Sequence, residues 1–143
     1  MNRSKKRTVE EFMSTALLSI KETDTLDRVR QDMDAANIRH MPVVDDRNHV
    51  VGIISDRDVL RALALTKGRP IAVSEMMTRN VETVHVGTLA HTAIQIMLEQ
   101  KISALPVLGD DGQIVGLVTA TDFLIAARQA LAGLTIARTA AAL

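Results

Sequence analysis

Hydrophobic and polar positions along the chain follow one pattern that occurs twice, 64 residues apart. In each copy, apolar residues at helical spacing are followed by an apolar run containing a proline, a polar turn, a second apolar run and another amphipathic stretch. Residues 29–60 align without a gap with residues 93–124, and ten of the 32 pairs are identical. Because self-similarity at a fixed spacing is the signature of repeated structural units, the chain is predicted to be a tandem duplication.

Each copy predicts the element order β-α-β-β-α. A short β-rich run, at residues 17–20 and again at 81–84, precedes the first amphipathic helix of each copy. The next two apolar runs are joined by turns of hairpin composition, residues 45–48 and 109–112, and lead into a second helix. Because each half is too small to be stable alone, the two halves are expected to share one core.

Polar residues mark the predicted helix starts, and glycines mark irregular strands. Residues 8–11 have the spacing of a capping box, which predicts a short helix near the start of the chain. Residues 23–25 form an N-cap cluster, and Thr88 is expected to cap the equivalent helix of the second copy. Gly52 and Gly116 each interrupt an apolar run, which predicts a β-bulge or a close backbone approach.

The composition argues against several classes of function. Seventeen basic and seventeen acidic residues cancel, so no net field favours nucleic acid or an anionic membrane. The chain has no cysteine, which removes disulfides and thiol chemistry, and only two aromatic residues, which leaves no base-stacking platform. No apolar run approaches the roughly 20 residues of a membrane span, and the charged start lacks a signal segment. A soluble, cytoplasmic protein is expected.

Catalytic and metal-binding patterns are missing from the sequence. The sequence contains neither a glycine-rich phosphate loop nor a nucleophile elbow. The four histidines fall in four different predicted elements, without the spacing of metal ligands: His40, His49, His85 and His91. We therefore expect no enzymatic activity, no metal site and no required cofactor.

Two pairs of motifs at matching spacing give the duplication a family resemblance. One pair consists of two proline-containing strands, and the other of two Gly-x-x-Ser/Thr-x-x-Asp elements that each lead from a strand into a helix. The chain resembles the CBS-domain family, named for the regulatory region of cystathionine β-synthase, over nearly all of residues 8–128. The motifs are Met41-Pro42-Val43-Val44, Leu105-Pro106-Val107-Leu108, Gly52 to Asp58 and Gly116 to Asp122.

The resemblance implies an α+β fold in which two CBS repeats form one module about a pseudo-twofold axis. We assign residues 8–66 to the first repeat and 72–130 to the second, with a basic arm at 1–7 and an Ala-rich tail at 131–143. Members of the family commonly bind adenosine-containing ligands, and their modules often pair into dimers. A homodimer is therefore expected.

The two strand-to-helix corners carry residues suited to a ribose phosphate. A carboxylate one turn into a helix can accept hydrogen bonds from both hydroxyls of a ribose, which suits Asp58 and Asp122. Ser55 and Thr119 lie where free backbone N–H groups and the helix dipole favour a phosphate. The alternative is that hydroxyl and acid simply cap their helix, as at many helix starts.

The family pattern implies that each corner faces the strand before the proline of the opposite repeat, where the adenine would lie. The two corners differ in the residues that lie between the hydroxyl residue and the acid. At the first corner, Arg57 could bind a phosphate, whereas its neighbour Asp56 would repel one. The second corner is expected to bind at least as well. The two predicted sets are Ser55, Arg57 and Asp58 with Ile102, Ser103, Ala104 and Pro106, and Thr119, Thr121 and Asp122 with Ile38, Arg39, His40 and Pro42.

The sequence thus predicts a regulatory module that senses an adenine nucleotide or S-adenosylmethionine. Occupancy would change the packing of the two halves, and a protein partner would respond to that change. The alternative is a ligand-free scaffold whose repeats serve dimerisation or protein–protein contact.

Overall fold

The structure is a computed structural model that describes the backbone of residues 6–142 and the side chains of residues 6–133. Most of the basic arm and most side chains of the tail lie outside this range. The order of the main elements is α1 (Leu26–Ala36), β1 (His40–Val44), β2 (Val50–Ser55), α2 (Asp56–Thr66), β3 (Val84–His85), α3 (Ala90–Gln100), β4 (Ala104–Leu108), β5 (Ile114–Thr119) and α4 (Ala120–Ala142). The α+β duplication predicted from the sequence is confirmed.

The two repeats form equivalent sheets in matching register. Strands β1 and β2 pair antiparallel with Pro42 opposite Ile53, and β4 and β5 pair in the same way with Pro106 opposite Leu117. In the second repeat, β3 adds to β4 in parallel. The run at residues 17–20 was expected to be a strand, but it contributes only one parallel bridge, from Ile20 to Val43.

Helices α1 and α3 both end at a residue in the left-handed conformation. Asn37 follows α1 at φ 53°, and Lys101 follows α3 at φ 56°. Thr25 caps α1 through a hydrogen bond from the Arg28 amide. The prediction that Thr88 caps α3 is wrong, because Leu89 occupies the N-cap and the Thr88 hydroxyl accepts from the His85 amide instead.

The start of the chain also differs in detail from its prediction. Residues Val9–Glu11 form one turn of 3-10 helix, and a second such turn lies at Val73–Glu75. The Thr8 side chain makes no capping hydrogen bond, so the predicted capping box is absent. The two turns are nonetheless equivalent, since both bury their valine completely.

The expectation of one shared core is wrong, because the buried hydrophobic side chains among residues 6–133 form two separate clusters. The first cluster joins α1, α2 and their strands to Val73 and Met77, which come from the second repeat's sequence. The second cluster joins α3 and its strands to Val9, which precedes the first repeat's helices. Each repeat therefore donates its opening segment to the other, and 8–66 and 72–130 delimit sequence repeats but not packing units.

The two strand glycines explain how the donated segments fit. A Cβ at Gly52 would lie 2.6 Å from the Met77 Sδ and 3.0 Å from the Thr78 carbonyl oxygen. A Cβ at Gly116 would collide with Met13, which occupies the equivalent place in the other half. The predicted close backbone approach is confirmed at both glycines, and both hairpins also carry a register shift.

Candidate functional site

Both strand-to-helix corners form reciprocal capping hydrogen bonds. The Asp58 amide donates to the Ser55 Oγ at 3.1 Å, and the Ser55 amide donates to the Asp58 Oδ2 at 2.9 Å. At the second corner, the Thr119 amide and hydroxyl both donate to the Asp122 Oδ2, at 2.8 and 3.0 Å. The capping role left open by the sequence is therefore confirmed.

Each of the two carboxylates keeps one oxygen that makes no capping hydrogen bond. A carboxylate has two oxygens and about four acceptor positions, and the hydrogen bonds of both caps go to Oδ2. No described residue donates to the Oδ1 of Asp58 or Asp122, and neither residue is fully buried. Each acid can therefore cap its helix with one oxygen and accept from a ligand with the other.

A cavity of about 520 Å³ opens beside the second corner and lies between the two repeats. Its walls combine the start of α4 with the end of α1, the start of β1 and the chain before Ile20. All seven residues of the second predicted set line it: Thr119, Thr121, Asp122, Ile38, Arg39, His40 and Pro42.

Of the first predicted set, only Ser103 lines this cavity. The Ser103 Oγ lies 3.2 Å from the His40 Nε2, which places it at the junction of the two repeats. Ala104 and Pro106 are buried in β4, and Ile102 packs against the second hydrophobic cluster. The remaining residues of that set, Ser55, Arg57 and Asp58, lie at the other corner.

One wall of the cavity was missed by sequence reasoning. Four residues of the opening segment line it together with Asn37 and Leu117: Ser14, Ala16, Leu17 and Leu18. Ser14 reaches this place because its backbone pairs with Leu117 in both directions, at 2.9 and 3.0 Å. The available signal was Gly116, whose close backbone approach indicates that another segment crosses β5 at that residue.

The two corners differ in one backbone donor. At the first corner, the Asp56 Oδ1 accepts a hydrogen bond of 2.9 Å from the Arg57 amide. At the second corner, Ala120 replaces that acid, and the Thr121 amide has no acceptor among the described residues. Because the amides of a first helical turn attract anions, the second corner offers a donor that the first corner has already used.

Two basic side chains face the second corner from the opposite repeat. The Arg39 guanidinium makes no hydrogen bond or ion pair with any described residue, although it lines the cavity. Burial lowers the pKa of His40 below its usual value of 6.5, with a smaller lowering by Arg39, while Asp56 and Asp58 act in the opposite direction. His40 is therefore held mainly in its neutral form at neutral pH.

The lowered pKa of His40 predicts a loss of folding stability in mild acid. Between the folded and unfolded pKa values the unfolded chain binds more protons, so stability falls as the pH decreases below about 6.5. We expect His40→Gln to lose less stability than the unmodified chain between pH 7.5 and pH 5.5, in urea unfolding followed by circular dichroism. His85→Gln, at an exposed position, is the control, and an equal loss in all three proteins would contradict the assignment.

Neither a metal cluster nor a membrane-spanning helix occurs in the part of the chain that the structure describes. Within residues 6–142, no three His, Asp or Glu side chains are grouped closely enough to hold a metal ion. No helix in that range is both long and apolar enough to cross a bilayer.

Solved structures with the same fold include complexes with adenosine compounds. The CBS domain pair of protein MJ0100, solved with 5′-methylthioadenosine and S-adenosyl-L-methionine, is 29% identical, with a TM-score of 0.78 over 87% of this chain and 99% of that one. CBSX2, a CBS-pair protein of Arabidopsis thaliana, was solved in complex with AMP. It is 28% identical, with a TM-score of 0.74 over 86% of this chain and 97% of that one.

Sequence relatives are mostly longer proteins, and the chain spans 16% to 41% of the first four curated relatives it matches. One is a homoserine O-acetyltransferase of Methanococcus vannielii, 34% identical over 113 residues that make up 78% of this chain and 23% of that protein. The family model described as "CBS domain" matches residues 9–65 and again 73–128. The chain therefore belongs to the CBS-domain family, with two copies of the domain in tandem.

Proposed function

We propose that the chain is a regulatory module that binds an adenosine-containing ligand, such as AMP, ADP, ATP or S-adenosylmethionine. The observation that carries the proposal is the 520 Å³ cavity in which Thr119, Thr121 and Asp122 face Ile38, Arg39 and His40. Its volume lies in the range of small-molecule sites, about 300–1,000 Å³. Two structural neighbours that contain such ligands support this ligand class.

In this proposal, the ribose, the anionic group and the adenine of the ligand each contact different residues of the cavity. The free Oδ1 of Asp122 accepts a hydrogen bond from the ribose, while Oδ2 keeps its capping bonds. The Thr121 amide and the Arg39 guanidinium bind the phosphate or carboxylate of the ligand, as charge-assisted donors. The adenine lies against Ile38 and Pro42, because no Phe, Tyr or Trp side chain is among the residues that line the cavity.

Binding would couple the repeats because the cavity draws its walls from both. A ligand held by α4 on one side and by β1 on the other resists any separation of the two halves. The contact between His40 and Ser103 lies on the same junction and would report the change. We propose that a protein partner or the second copy of a homodimer responds to this packing, and that the protein acts in the cytoplasm.

The test is a thermal-shift and calorimetric panel of AMP, ADP, ATP and S-adenosylmethionine, with ribose 5-phosphate and GMP for comparison. A ligand at 100 times its dissociation constant stabilises the folded chain by about 2.7 kcal/mol, which is readily measured. Asp122→Ala should abolish the shift, whereas Asp58→Ala should keep it. Both changes remove the N3 carboxylate of one capping pair at equivalent corners, so the pair of variants separates ligand binding from stability.

A ligand-free scaffold remains the second candidate, favoured by a separate observation. Leu60 and Leu124 occupy equivalent positions on α2 and α4, and their side chains are 65% and 69% exposed. Contiguous exposed apolar side chains mark surfaces that pair with another protein, and in this second candidate the two leucines belong to one such surface. If sedimentation velocity finds a stable dimer while no adenosine compound at millimolar concentration shifts the melting temperature, the scaffold replaces the sensor.

A further inference from the structure

We propose that a second cavity, unrelated to the adenosine site, binds a small organic acid with an aliphatic chain. This cavity of about 530 Å³ lies between the start of the described chain, the first turn of α3 and the outer face of α4. None of its lining residues belongs to the inter-repeat cavity.

The duplication supplies an internal comparison that explains why this cavity exists. At a shift of 64 residues, Ala90 corresponds to Leu26 and Ala127 corresponds to Leu63. In the first repeat, Leu26 is 2% exposed and Leu63 packs against the same hydrophobic cluster. In the second repeat both leucines are replaced by alanine, and both alanines line the cavity. The space that two leucine side chains fill in one half is open in the other half.

The walls of the opening are apolar and partly preformed. Phe12 and Phe123 line it with their ring centroids 5.6 Å apart and their planes tilted by 52°. Ile94 lines one side and remains 37% exposed. Apolar surface that is already assembled and still accessible favours an apolar ligand, because covering it removes that surface from water at little cost in ordering.

Two basic residues, Lys6 and Arg7, line the opening where the other half has Pro70 and Ile71, and His91 lines it in place of Asp27. The other half has one basic residue at an equivalent position, Arg30 in place of Ile94. Arg7 pairs with Glu11 at 3.0 Å and covers the Phe12 ring, but none of the described residues that line the cavity has a carboxylate side chain.

The remaining positive charge is available to a ligand. Lys6 makes no ion pair with any described residue, so its ammonium group is free to meet an anion. Leu89 replaces the capping Thr25 of the first repeat, which leaves the first turn of α3 without a side-chain cap and adds to the positive field. An apolar cavity with a cationic rim matches one ligand chemistry: an aliphatic chain that ends in a carboxylate.

The proposal is tested by isothermal titration calorimetry with octanoate, 1-octanol and octyltrimethylammonium, which share the chain and differ in charge. Octanoate should bind about tenfold more tightly than 1-octanol, which corresponds to about 1.4 kcal/mol, and the cation should bind most weakly. If the three compounds bind equally, the cavity is only an exposed apolar patch and the proposal is overturned.

Filling the cavity gives the structural control. Ala127→Leu restores the residue of the first repeat and should abolish octanoate binding, whereas Ala132→Leu, on the same helix but outside the cavity, should not. Lys6→Gln should weaken octanoate binding, and Arg30→Gln, at the position equivalent to Ile94, should leave it unchanged.

AMP binding should be the same in all four variants, so failure of this proposal is distinct from failure of the adenosine site. If Ala127→Leu alters self-association in sedimentation velocity and octanoate does not bind, a second copy covers this surface and the proposal is wrong.

Discussion

Replacing Ala120 by aspartate is expected to weaken AMP binding by about tenfold to a hundredfold. The new carboxylate would accept from the Thr121 amide, as Asp56 accepts from the Arg57 amide at 2.9 Å in the first repeat. The phosphate would lose a charge-assisted hydrogen bond, at about 1.5–3 kcal/mol, and would also meet a like charge. Calorimetric titration of AMP into both proteins measures the change.

The same exchange should leave the fold intact, which separates it from an ordinary disruptive mutation. An acid in the first turn of a helix interacts favourably with the helix dipole, so the melting temperature of Ala120→Asp should not fall. Ala120→Asn keeps the acceptor without the charge and should have an intermediate effect. Asp56→Ala, the reciprocal change, frees the Arg57 amide at the first corner and should not reduce AMP binding. Undiminished AMP affinity in Ala120→Asp would show that the Thr121 amide does not hold the ligand.

Most of the fold could be predicted because the pattern in each repeat is local. The periodicity of apolar residues predicted the four helices, the hairpins followed from their polar turns, and the doubled pattern predicted the duplication. The error at Thr88 has a physical reason: its hydroxyl accepts from the His85 amide across a tight turn, and the helix begins at Ala90, one residue later than a Thr88 cap requires and 64 residues after Leu26.

The candidate site could be predicted only in part, because one wall comes from a distant segment. Motif residues such as Thr119 and Asp122 follow from the strand-to-helix corner, whose geometry is local. Residues 14–18 have no such motif, and they reach the cavity only because the opening segment of each repeat packs against the other. The sequence shows that Ala120 stands at the second corner where the first has Asp56. Only the structure shows the consequence: the Arg57 amide has a side-chain acceptor, and the Thr121 amide has none among the described residues.

The exchange of opening segments predicts the second large effect, a selective unfolding caused by Val9→Asp. Val9 is fully buried in the second hydrophobic cluster, although it lies before every element of the first repeat. An unpaired carboxylate at such a place costs about 3–5 kcal/mol, a large part of the 5–15 kcal/mol that stabilises a typical domain. Because β4 and β5 pack in that cluster, their amides should lose protection first in hydrogen exchange followed by mass spectrometry.

Val73→Asp is the matched experiment, because Val73 occupies the equivalent place in the first cluster and is also fully buried. There the amides of β1 and β2 should exchange first, even though residue 73 belongs to the sequence of the second repeat. Glu10→Gln, at the exposed neighbour of Val9, should leave both patterns unchanged.

If Val9→Asp instead exposed β1 and β2 first, the opening segment would pack with its own repeat. The wall that residues 14–18 give to the adenosine cavity would then have to be reassigned as well. The two valines therefore test the packing on which the proposed coupling between repeats depends.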